Sequence, residues 1–242
     1  MFFFINSYTL VPSKNVMYRK IFKRIFDVIL SFILIILLIP AWIAICLILL
    51  FSGEHSVFYV QKRVGFKGST FYIWKHRTML KNSEKMHGGL YTIRNDPRIL
   101  PFGTFLRRTK LDEIPQLFHI LAGKMSFVGP RPLVVDNPYP KELQDRIYTI
   151  KPGVTGIGSL IFRNEERLLT ETNLEPEEFY ANHILPYKAE LELWYQEKSS
   201  WWIDTKIMFC TVYVLLFPDS RMPFMLFNNL PPAPGDLKLI VA

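Results

Sequence analysis

The chain has 242 residues, of which 50% are hydrophobic and 15% aromatic, and this composition excludes an intrinsically disordered protein. The 29 Lys and Arg exceed the 21 Asp and Glu, and the net charge of +8 suits nucleic acid, an anionic membrane or phosphorylated ligands alike. Two cysteines far apart in apolar segments, Cys46 and Cys210, argue against a disulfide-stabilised secreted domain and against a paired-cysteine metal site.

A long apolar segment is the first predicted element. Val28 to Phe51 are 24 residues without a formal charge. As a helix they would reach about 36 Å, enough for a bilayer core of about 30 Å. We therefore predict an N-terminal tail over 1–19 and a membrane helix over 20–52.

Two features predict that this helix turns back inside the membrane. Pro40, near its middle, removes one helix donor and leaves two halves that each reach only about 18 Å. Lys and Arg, which mark cytoplasmic flanks, occur on both sides. They are Lys14, Arg19, Lys20, Lys23 and Arg24 before the helix, and Lys62, Arg63, Lys67 and Lys75 after it. We predict a re-entrant helix bent at Pro40, with a kinked spanning helix as the alternative.

The segment 53–221 is predicted to form a cytosolic α/β domain that is small and mostly helical, with short strands. The pattern indicates β-rich pieces at 56–60 and 70–74 around a glycine turn, a mobile polar loop at 80–100, a helix at 113–122, a short strand at 125–129 and charged helices at 174–198.

The C-terminal part of this domain is predicted to lie at the membrane surface. Residues 201–217 are apolar and aromatic but carry Asp204 and Lys206, which favours an interfacial amphipathic helix over a second span. The tail over 222–242 contains a Pro-rich stretch and is expected to be loose.

The most informative motif for chemistry runs from Arg107 to Gln116. Cationic and polar residues there precede two adjacent carboxylates, Asp112 and Glu113, at the start of a predicted helix. A helix N-terminus gathers N–H donors for phosphate, and Arg107 could bind phosphate oxygens with both guanidinium arms. A carboxylate there could bind a divalent cation or attack phosphorus. A capped helix, with Asp112 as the N-cap, is the alternative without chemistry.

Other basic or glycine-rich segments are further candidates for phosphate binding. Arg131 lies between Pro130 and Pro132, which fix its backbone, although a plain surface turn would look the same. Lys75 and Arg77 follow a predicted strand, where a solvated basic face is the alternative. The segment 151–156 could offer backbone N–H groups to an anion, but a simple turn is the preferred interpretation.

The order of these motifs resembles the bacterial sugar transferase family, the monotopic polyprenyl-phosphate phosphoglycosyl transferases. The shared motifs are Lys23-Arg24-Ile25-Phe26-Asp27, the apolar run with Pro40, Gln61-Lys62-Arg63-Val64-Gly65, Lys75-His76-Arg77-Thr78-Met79, Leu106-Arg107, Leu111-Asp112-Glu113-Ile114-Pro115-Gln116, Met125-Ser126-Phe127-Val128-Gly129-Pro130-Arg131-Pro132 and Pro152-Gly153-Val154-Thr155-Gly156. The resemblance covers about Lys20 to Phe217, and the ordered set is more specific than any single motif.

The resemblance implies an activity and roles for individual residues. It implies transfer of a phosphosugar from a UDP-sugar to a polyprenyl phosphate, through a covalent aspartyl phosphosugar and with Mg²⁺ as cofactor. Asp112 corresponds to the nucleophile and Glu113 to its partner acid, both candidate Mg²⁺ ligands, while Arg107 and Arg131 correspond to phosphate-binding residues. The expected location is the bacterial inner membrane, with the catalytic domain on the cytoplasmic face.

The expected partners are the UDP-sugar, the lipid and the membrane, without nucleic acid, and a homo-oligomer is compatible with this picture. A catalytically silent membrane scaffold of the same fold is the alternative function. A nucleic-acid binder would leave the paired acids unexplained.

The sequence departs from the family pattern at four places, which are Ile39, His76, His119 and 161–169. The difference at 161–169 could reflect a different sugar.

Overall fold

The structure, a computed structural model, describes residues 17–86, 89, 91–135, 137 and 139–237. Within these residues the chain is mostly helical and has two small sheets, as the sequence predicts. The helices are α1 (Lys23–Phe51), α2 (Pro101–Thr109), α3 (Gln116–Leu121), α4 (Lys141–Ile147), α5 (Ile157–Ile161), α6 (Glu165–Glu171), α7 (Pro176–Phe179), α8 (Leu185–Lys198), α9 (Trp201–Leu216) and α10 (Met222–Leu226). The strands are β1 (Phe58–Val64), β2 (Thr70–His76), β3 (Ser126–Val128) and β4 (Gly153–Thr155).

The apolar N-terminal segment forms one long helix that contacts the globular domain near both of its ends and, through Leu34, Leu38 and Trp42, along its middle. Together with a preceding π-turn it runs from Tyr18 to Phe51, 34 residues that are long and apolar enough to cross a membrane. Near its start, Arg24 donates hydrogen bonds to two carbonyls at the end of α3, at 2.6 and 2.8 Å. Near its end, Ile45 and Leu49 are buried against the domain.

The first sheet is an antiparallel hairpin of β1 and β2, paired from Phe58↔His76 to Val64↔Thr70. Its turn contains the predicted glycine at position 68, which has a positive φ of 72° that favours glycine. Successive side chains of β2 alternate between faces, so Phe71, Ile73 and Lys75 point to the same side. On that side Lys75 points toward Asp112 and Glu113.

The second sheet brings two glycine motifs into backbone contact. β3 and β4 are parallel, with Ser126 opposite Gly153 and Val128 opposite Thr155. A Cβ on Gly153 would lie 2.1 Å from the Gly129 nitrogen, so no side chain fits there. Gly153 N–H donates to a carbonyl at position 130 and Gly129 N–H to Thr155, each at 2.9 Å. Sheet pairing and close packing therefore account for the glycines of 151–156.

Two hydrophobic cores flank this sheet. The first contains buried side chains of α4, α5, α8 and α9, including Ile147, Ile157 and Ile207. The second joins α1, β2, α2 and α3, and contains Leu106 and Ile120. Strand β3 contacts both cores, because Val128 belongs to the first and Met125, just before the strand, to the second.

The residues at 80–100, expected to be a mobile loop, are held by a buried arginine in the part that the structure describes. The Arg98 guanidinium pairs with Asp96 at 2.6 Å and donates to the carbonyls of Ser83, Gly89 and Tyr91 at 2.7 to 2.9 Å. A single side chain therefore satisfies several loop carbonyls, and it replaces regular secondary structure as the organiser of this segment.

Helix α9 has one buried and one exposed face, both of them apolar. Ile207, Cys210 and Val214 are buried in the first core, whereas the outward side chains form a stripe at helical spacing. The stripe consists of Trp202, Phe209, Val212 and Leu216. Asp204 is buried, pairs with Lys23 and accepts a hydrogen bond from the Tyr195 hydroxyl at 2.7 Å.

The tail from Met222 differs from the loose segment expected. Helix α10 begins there, and Phe227 and Leu237 are buried in the first core. The Tyr187 hydroxyl donates to the carbonyl at position 231 at 2.9 Å. The Pro-rich composition predicts the absence of long helices, but the apolar side chains between the prolines anchor the segment. Residues 238–242 lie outside the described part.

Candidate active site

The two acids lie in a 3₁₀ turn between two helices. Helix α2 ends at Thr109, Lys110 adopts a left-handed conformation with a φ of 58°, and the turn comprises Leu111–Glu113. Helix α3 starts at Gln116, three residues later than the predicted helix. The left-handed residue reverses the chain after α2, so the acids face the domain interior and not the first turn of a long helix.

Glu113 is the ionised centre of a group of charges. Its Oε1 accepts from the Lys75 ammonium at 2.8 Å and from the Arg131 guanidinium at 3.2 Å. Burial alone would raise the pKa of this carboxyl, but Lys75 and Arg131 lower the pKa well below its ordinary value. In return, Glu113 raises the pKa of Arg131, which stays a cation. Three elements therefore meet at one carboxylate.

Asp112 is buried, and its Oδ1 has no hydrogen-bond partner among the described residues. Burial raises the pKa of this carboxyl, while nearby Lys75, Lys110 and Arg107 oppose the shift. No side-chain capping bond occurs at the start of this turn or of α3. The structure therefore does not favour the helix-capping interpretation of Asp112, and it leaves a carboxyl oxygen available to another group.

Arg131 reaches the acids from the turn after β3. The Tyr148 hydroxyl donates to the Arg131 carbonyl at 2.7 Å and accepts from the Leu133 N–H at 3.0 Å, so the turn is fixed on both sides of Pro132. The Arg131 side chain is 43% exposed, whereas the Glu113 side chain is 9% exposed. The Arg131 guanidinium therefore contacts a buried carboxylate and is still exposed enough to contact a ligand.

Two other candidate cations are placed differently. Arg107 lies close enough to lower the pKa of Asp112, and its guanidinium pairs with Glu166 from α6. Arg77 donates to the Ser56 hydroxyl at 3.0 Å and to the carbonyl of Phe58 at 3.3 Å. These contacts lie at the start of the hairpin, and the structure groups Lys75, Arg107 and Arg131 with the acids but not Arg77.

Two histidines have structural roles that single-residue reasoning does not predict. His76 is buried, burial lowers its pKa, and its Nδ1 lies 3.2 Å from the Leu111 carbonyl, next to the acids. His119 accepts from the Trp74 N–H at 3.2 Å, and burial lowers its pKa to about 4. Both imidazoles are therefore neutral near pH 7 and connect the hairpin to the turn and to α3.

The site offers two carboxylates to a divalent cation. Among the described residues, no group of three or more His, Cys, Asp or Glu side chains is arranged as a metal site. A Mg²⁺ ion commonly takes one or two carboxylates and completes its shell with water and substrate phosphate oxygens. The free Oδ1 of Asp112 fits that coordination, since Glu113 is already engaged by two cations.

Comparison with known proteins shows similarity to one family over most of the chain. The model of the bacterial sugar transferase family matches residues 18–218. The chain is 34% identical over 201 residues to UDP-glucose:undecaprenyl-phosphate glucose-1-phosphate transferase of Klebsiella pneumoniae, covering 81% of the chain and 40% of the relative. It is 31% identical over 217 residues to undecaprenyl-phosphate galactose phosphotransferase of Salmonella typhimurium, covering 83% and 42%.

A shorter relative aligns over more of its own length. The exopolysaccharide production protein ExoY of Rhizobium meliloti is 33% identical over 190 residues, which cover 69% of this chain and 83% of the relative. The chain thus spans about two fifths of the first two relatives and most of this one. Residues 18–218, which the family model matches, include the hairpin, both acids and the turn that holds Arg131. This chain therefore belongs to the bacterial sugar transferase family.

Proposed function

We propose that this protein transfers a phosphosugar from a UDP-sugar to a polyprenyl phosphate, most simply undecaprenyl phosphate, and releases UMP. Family membership supports this function, as do relatives named as UDP-glucose:undecaprenyl-phosphate glucose-1-phosphate transferase and undecaprenyl-phosphate galactose phosphotransferase. Such a reaction would be the first membrane step in building a surface polysaccharide. The observation that carries the proposal is the buried Asp112 carboxyl with its free oxygen.

In the first half-reaction an Asp112 oxygen attacks the β-phosphorus of the UDP-sugar. A phosphorus–oxygen bond forms to Asp112, and the bond from the β-phosphorus to the oxygen bridging the two phosphates breaks. The electron pair leaves with that oxygen on UMP. Arg131 and Lys75 provide positive charge beside the attacking carboxyl, where it offsets charge that develops on the phosphoryl oxygens.

In the second half-reaction a phosphate oxygen of the polyprenyl phosphate attacks the same phosphorus. The bond to Asp112 breaks, the carboxylate is regenerated and a polyprenyl diphosphate sugar leaves. A carboxylate nucleophile divides one difficult displacement into two, with Asp112 serving first as nucleophile and then as leaving group. Glu113 remains ionised throughout because Lys75 and Arg131 hold its pKa low, and it keeps both cations in place.

Asp112, with Glu113 in support, would hold the Mg²⁺ ion that we propose as cofactor. Such an ion neutralises diphosphate charge and strengthens UMP as a leaving group. The chain's own contribution is a carboxyl oxygen without a protein hydrogen-bond partner, in a site that also contains the cations Lys75, Lys110, Arg107 and Arg131. A carboxyl whose pKa is raised by burial would ionise more readily beside a bound Mg²⁺ ion.

We also propose that α1 is re-entrant, so that both of its ends lie on the cytoplasmic face of the inner membrane. A helix crossing a core of about 30 Å would hold one end far from a domain that lies on one face. The contacts of Arg24 near the start of α1 and of Ile45 and Leu49 near its end with one domain support the re-entrant arrangement. The outward apolar stripe of α9 supports an interfacial position for that helix.

UMP release before any lipid is added tests the proposed function. The full chain in detergent or nanodiscs is mixed with Mg²⁺ and each member of a panel of UDP-sugars, and UMP is quantified. We expect one donor to give a burst of UMP no larger than the enzyme present, followed by turnover once polyprenyl phosphate is added. UMP release that requires the lipid would contradict a covalent intermediate. Absence of release from every donor, with or without lipid, would favour a silent scaffold.

A further inference from the structure

A buried amide one turn after the two acids has no part in the reaction described above. Gln116, the first residue of α3, is 2% exposed. Its Nε2 lies in the interior without a hydrogen-bond partner in the described part of the chain. Burying an unpaired amide costs free energy that an apolar side chain of similar length would avoid. Packing therefore does not explain why an amide occupies this position.

The backbone between the acids and Gln116 is helical, so the three side chains are neighbours. Ile114 and Pro115 both have right-handed helical φ and ψ angles. In such a backbone, side chains three and four residues apart lie next to each other on one surface. Gln116 is three residues after Glu113 and four residues after Asp112. The amide therefore lies one turn from both carboxyls.

Strand β2 covers this surface on both sides of the amide. Lys75 donates to Glu113 Oε1 at 2.8 Å, and the Trp74 N–H donates to His119 Nε2 at 3.2 Å. Along the helical backbone, Glu113 is three residues before Gln116 and His119 is three residues after it. These two contacts with neighbouring β2 residues account for the burial of the amide. They also keep it in the same water-poor region as Glu113.

Two unpaired polar atoms of complementary kind thus lie one turn apart, because Asp112 Oδ1 can accept or attack and Gln116 Nε2 can only donate. We propose that Gln116 is a further catalytic residue, whose amide N–H donates to an oxygen of the β-phosphoryl group while Asp112 attacks the phosphorus. This inference rests on the proposed function. The phosphoryl oxygen supplies the acceptor that the amide lacks in the protein. A donor fixed in a buried site stabilises the negative charge that develops on that oxygen.

Removing an unpaired amide and removing a paired one should affect stability differently. Gln116→Met keeps the side-chain length and removes the unpaired donor, so the unfolding equilibrium constant should stay unchanged or fall. The matched control is Gln144→Met on α4, because the Gln144 amide donates to the Tyr139 carbonyl at 2.9 Å. This control should raise the unfolding constant about fivefold. Chemical denaturation of the full chain in detergent, without ligand, measures both. A loss of stability in Gln116→Met equal to that of the control would overturn the proposal, because the amide would then have a protein partner.

Kinetics should rank the same two variants in the opposite order. Gln116→Met should lower kcat/KM for UMP release about 100-fold, because a donor to the developing charge is lost, whereas Gln144→Met should match the wild type. Gln116→Glu keeps the side-chain shape but replaces the N–H donor by an acceptor oxygen, so it should be at least as slow. Near-normal kcat/KM in both Gln116 variants would overturn the proposal.

Binding of UDP separates this inference from the proposed function. UDP carries the diphosphate but no sugar to transfer, and titration calorimetry with Mg²⁺ present measures its Kd for the full chain. We expect Gln116→Met to raise this Kd about tenfold, as for a lost hydrogen bond to a charged group, and Gln144→Met to leave it unchanged. If the wild type binds UDP but releases no UMP from any donor, the proposed function fails, and the UDP affinities alone decide whether Gln116 contacts the diphosphate. Equal Kd values for the wild type and Gln116→Met, or a wild type that does not bind UDP, would overturn the proposal.

Discussion

Asp112 and Glu113 are neighbours in the chain, but their surroundings give them different chemistry. Glu113 meets two cations, which lower its pKa, whereas burial raises the pKa of Asp112. One carboxyl is therefore fixed as an anion that organises Lys75 and Arg131. The other keeps an unpaired oxygen and is the better candidate to react. Two adjacent acids with separated pKa values are a common arrangement where one fold needs two carboxyl roles.

Substitutions of Arg131 test its proposed role in binding the diphosphate. Arg131→Ala should lower kcat for UMP release by about 10² to 10³, because a charge directed at the transition state is lost. Arg131→Lys should retain part of the activity, since an ammonium restores charge but not the two-armed donor geometry. Steady-state kinetics on folded protein measure both variants, with Arg221→Ala, an exposed arginine in another region, as the control. Near-normal turnover by both Arg131 variants would exclude a role on the diphosphate.

For single residues, the sequence predicts which side chains suit phosphate chemistry better than it predicts where those side chains lie. Arg131, Lys75 and the acids could be chosen because forked donors and carboxylates suit phosphate chemistry, and the structure brings them together. The same reasoning predicts Arg77 as a phosphate-binding residue, but Arg77 follows the end of β2 and contacts the start of the hairpin.

Among the elements, the parallel pair of β3 and β4 is the frame that places Arg131. Gly129 and Gly153 approach so closely that backbone atoms occupy the space of both missing side chains. The sequence shows glycines and prolines there and predicts turns. The pairing of segments about 25 residues apart depends on tertiary contacts, which local patterns do not encode.

Gly153→Ala tests this element. The added methyl group would meet the Gly129 nitrogen at 2.1 Å, so one strand must shift. We expect a loss of about 1–3 kcal/mol of unfolding free energy, typical of an overpacked interior, together with lower activity. Chemical denaturation of the detergent-solubilised chain measures the loss, and Gly235→Ala, in open space, should be neutral. Equal stability of the two variants would show that the close approach does not hold the sheet.

The helix after the acids shows where sequence periodicity misplaces a boundary. The apolar spacing predicts one helix over 113–122, but Lys110 reverses the chain in a left-handed conformation and α3 starts only at Gln116. A positive φ at a lysine has no signature in composition. The strands of the hairpin were predictable, because alternating side chains and turn glycines act locally.

For the whole molecule, the relation of α1 to the domain governs how the protein sits in a membrane. Both ends of the helix contact the domain, and α9 also exposes apolar side chains on its outward face. Length and hydropathy alone allow a spanning helix as well as a re-entrant one. Tertiary contacts, which a sequence pattern does not contain, are what support the re-entrant arrangement that we propose.

Cysteine labelling tests the topology. Met17→Cys, before α1, and Lys141→Cys, on the surface of α4, both place a thiol at an exposed position. With Cys46 and Cys210 replaced by serine, a membrane-impermeant maleimide should label neither site in intact cells and both after lysis. Labelling at position 17 in intact cells while position 141 stays protected would require a spanning helix.

Peptide mass spectrometry after mixing with the active UDP-sugar tests whether Asp112 forms a covalent intermediate. In the absence of lipid, the peptide that contains Asp112 should gain the mass of one phosphosugar, and adding polyprenyl phosphate should remove it. Asp112→Asn keeps the side-chain shape but removes the attacking charge, so it should fold, gain no mass and release no UMP. Normal turnover by Asp112→Asn, or the added mass on another residue, would contradict the account.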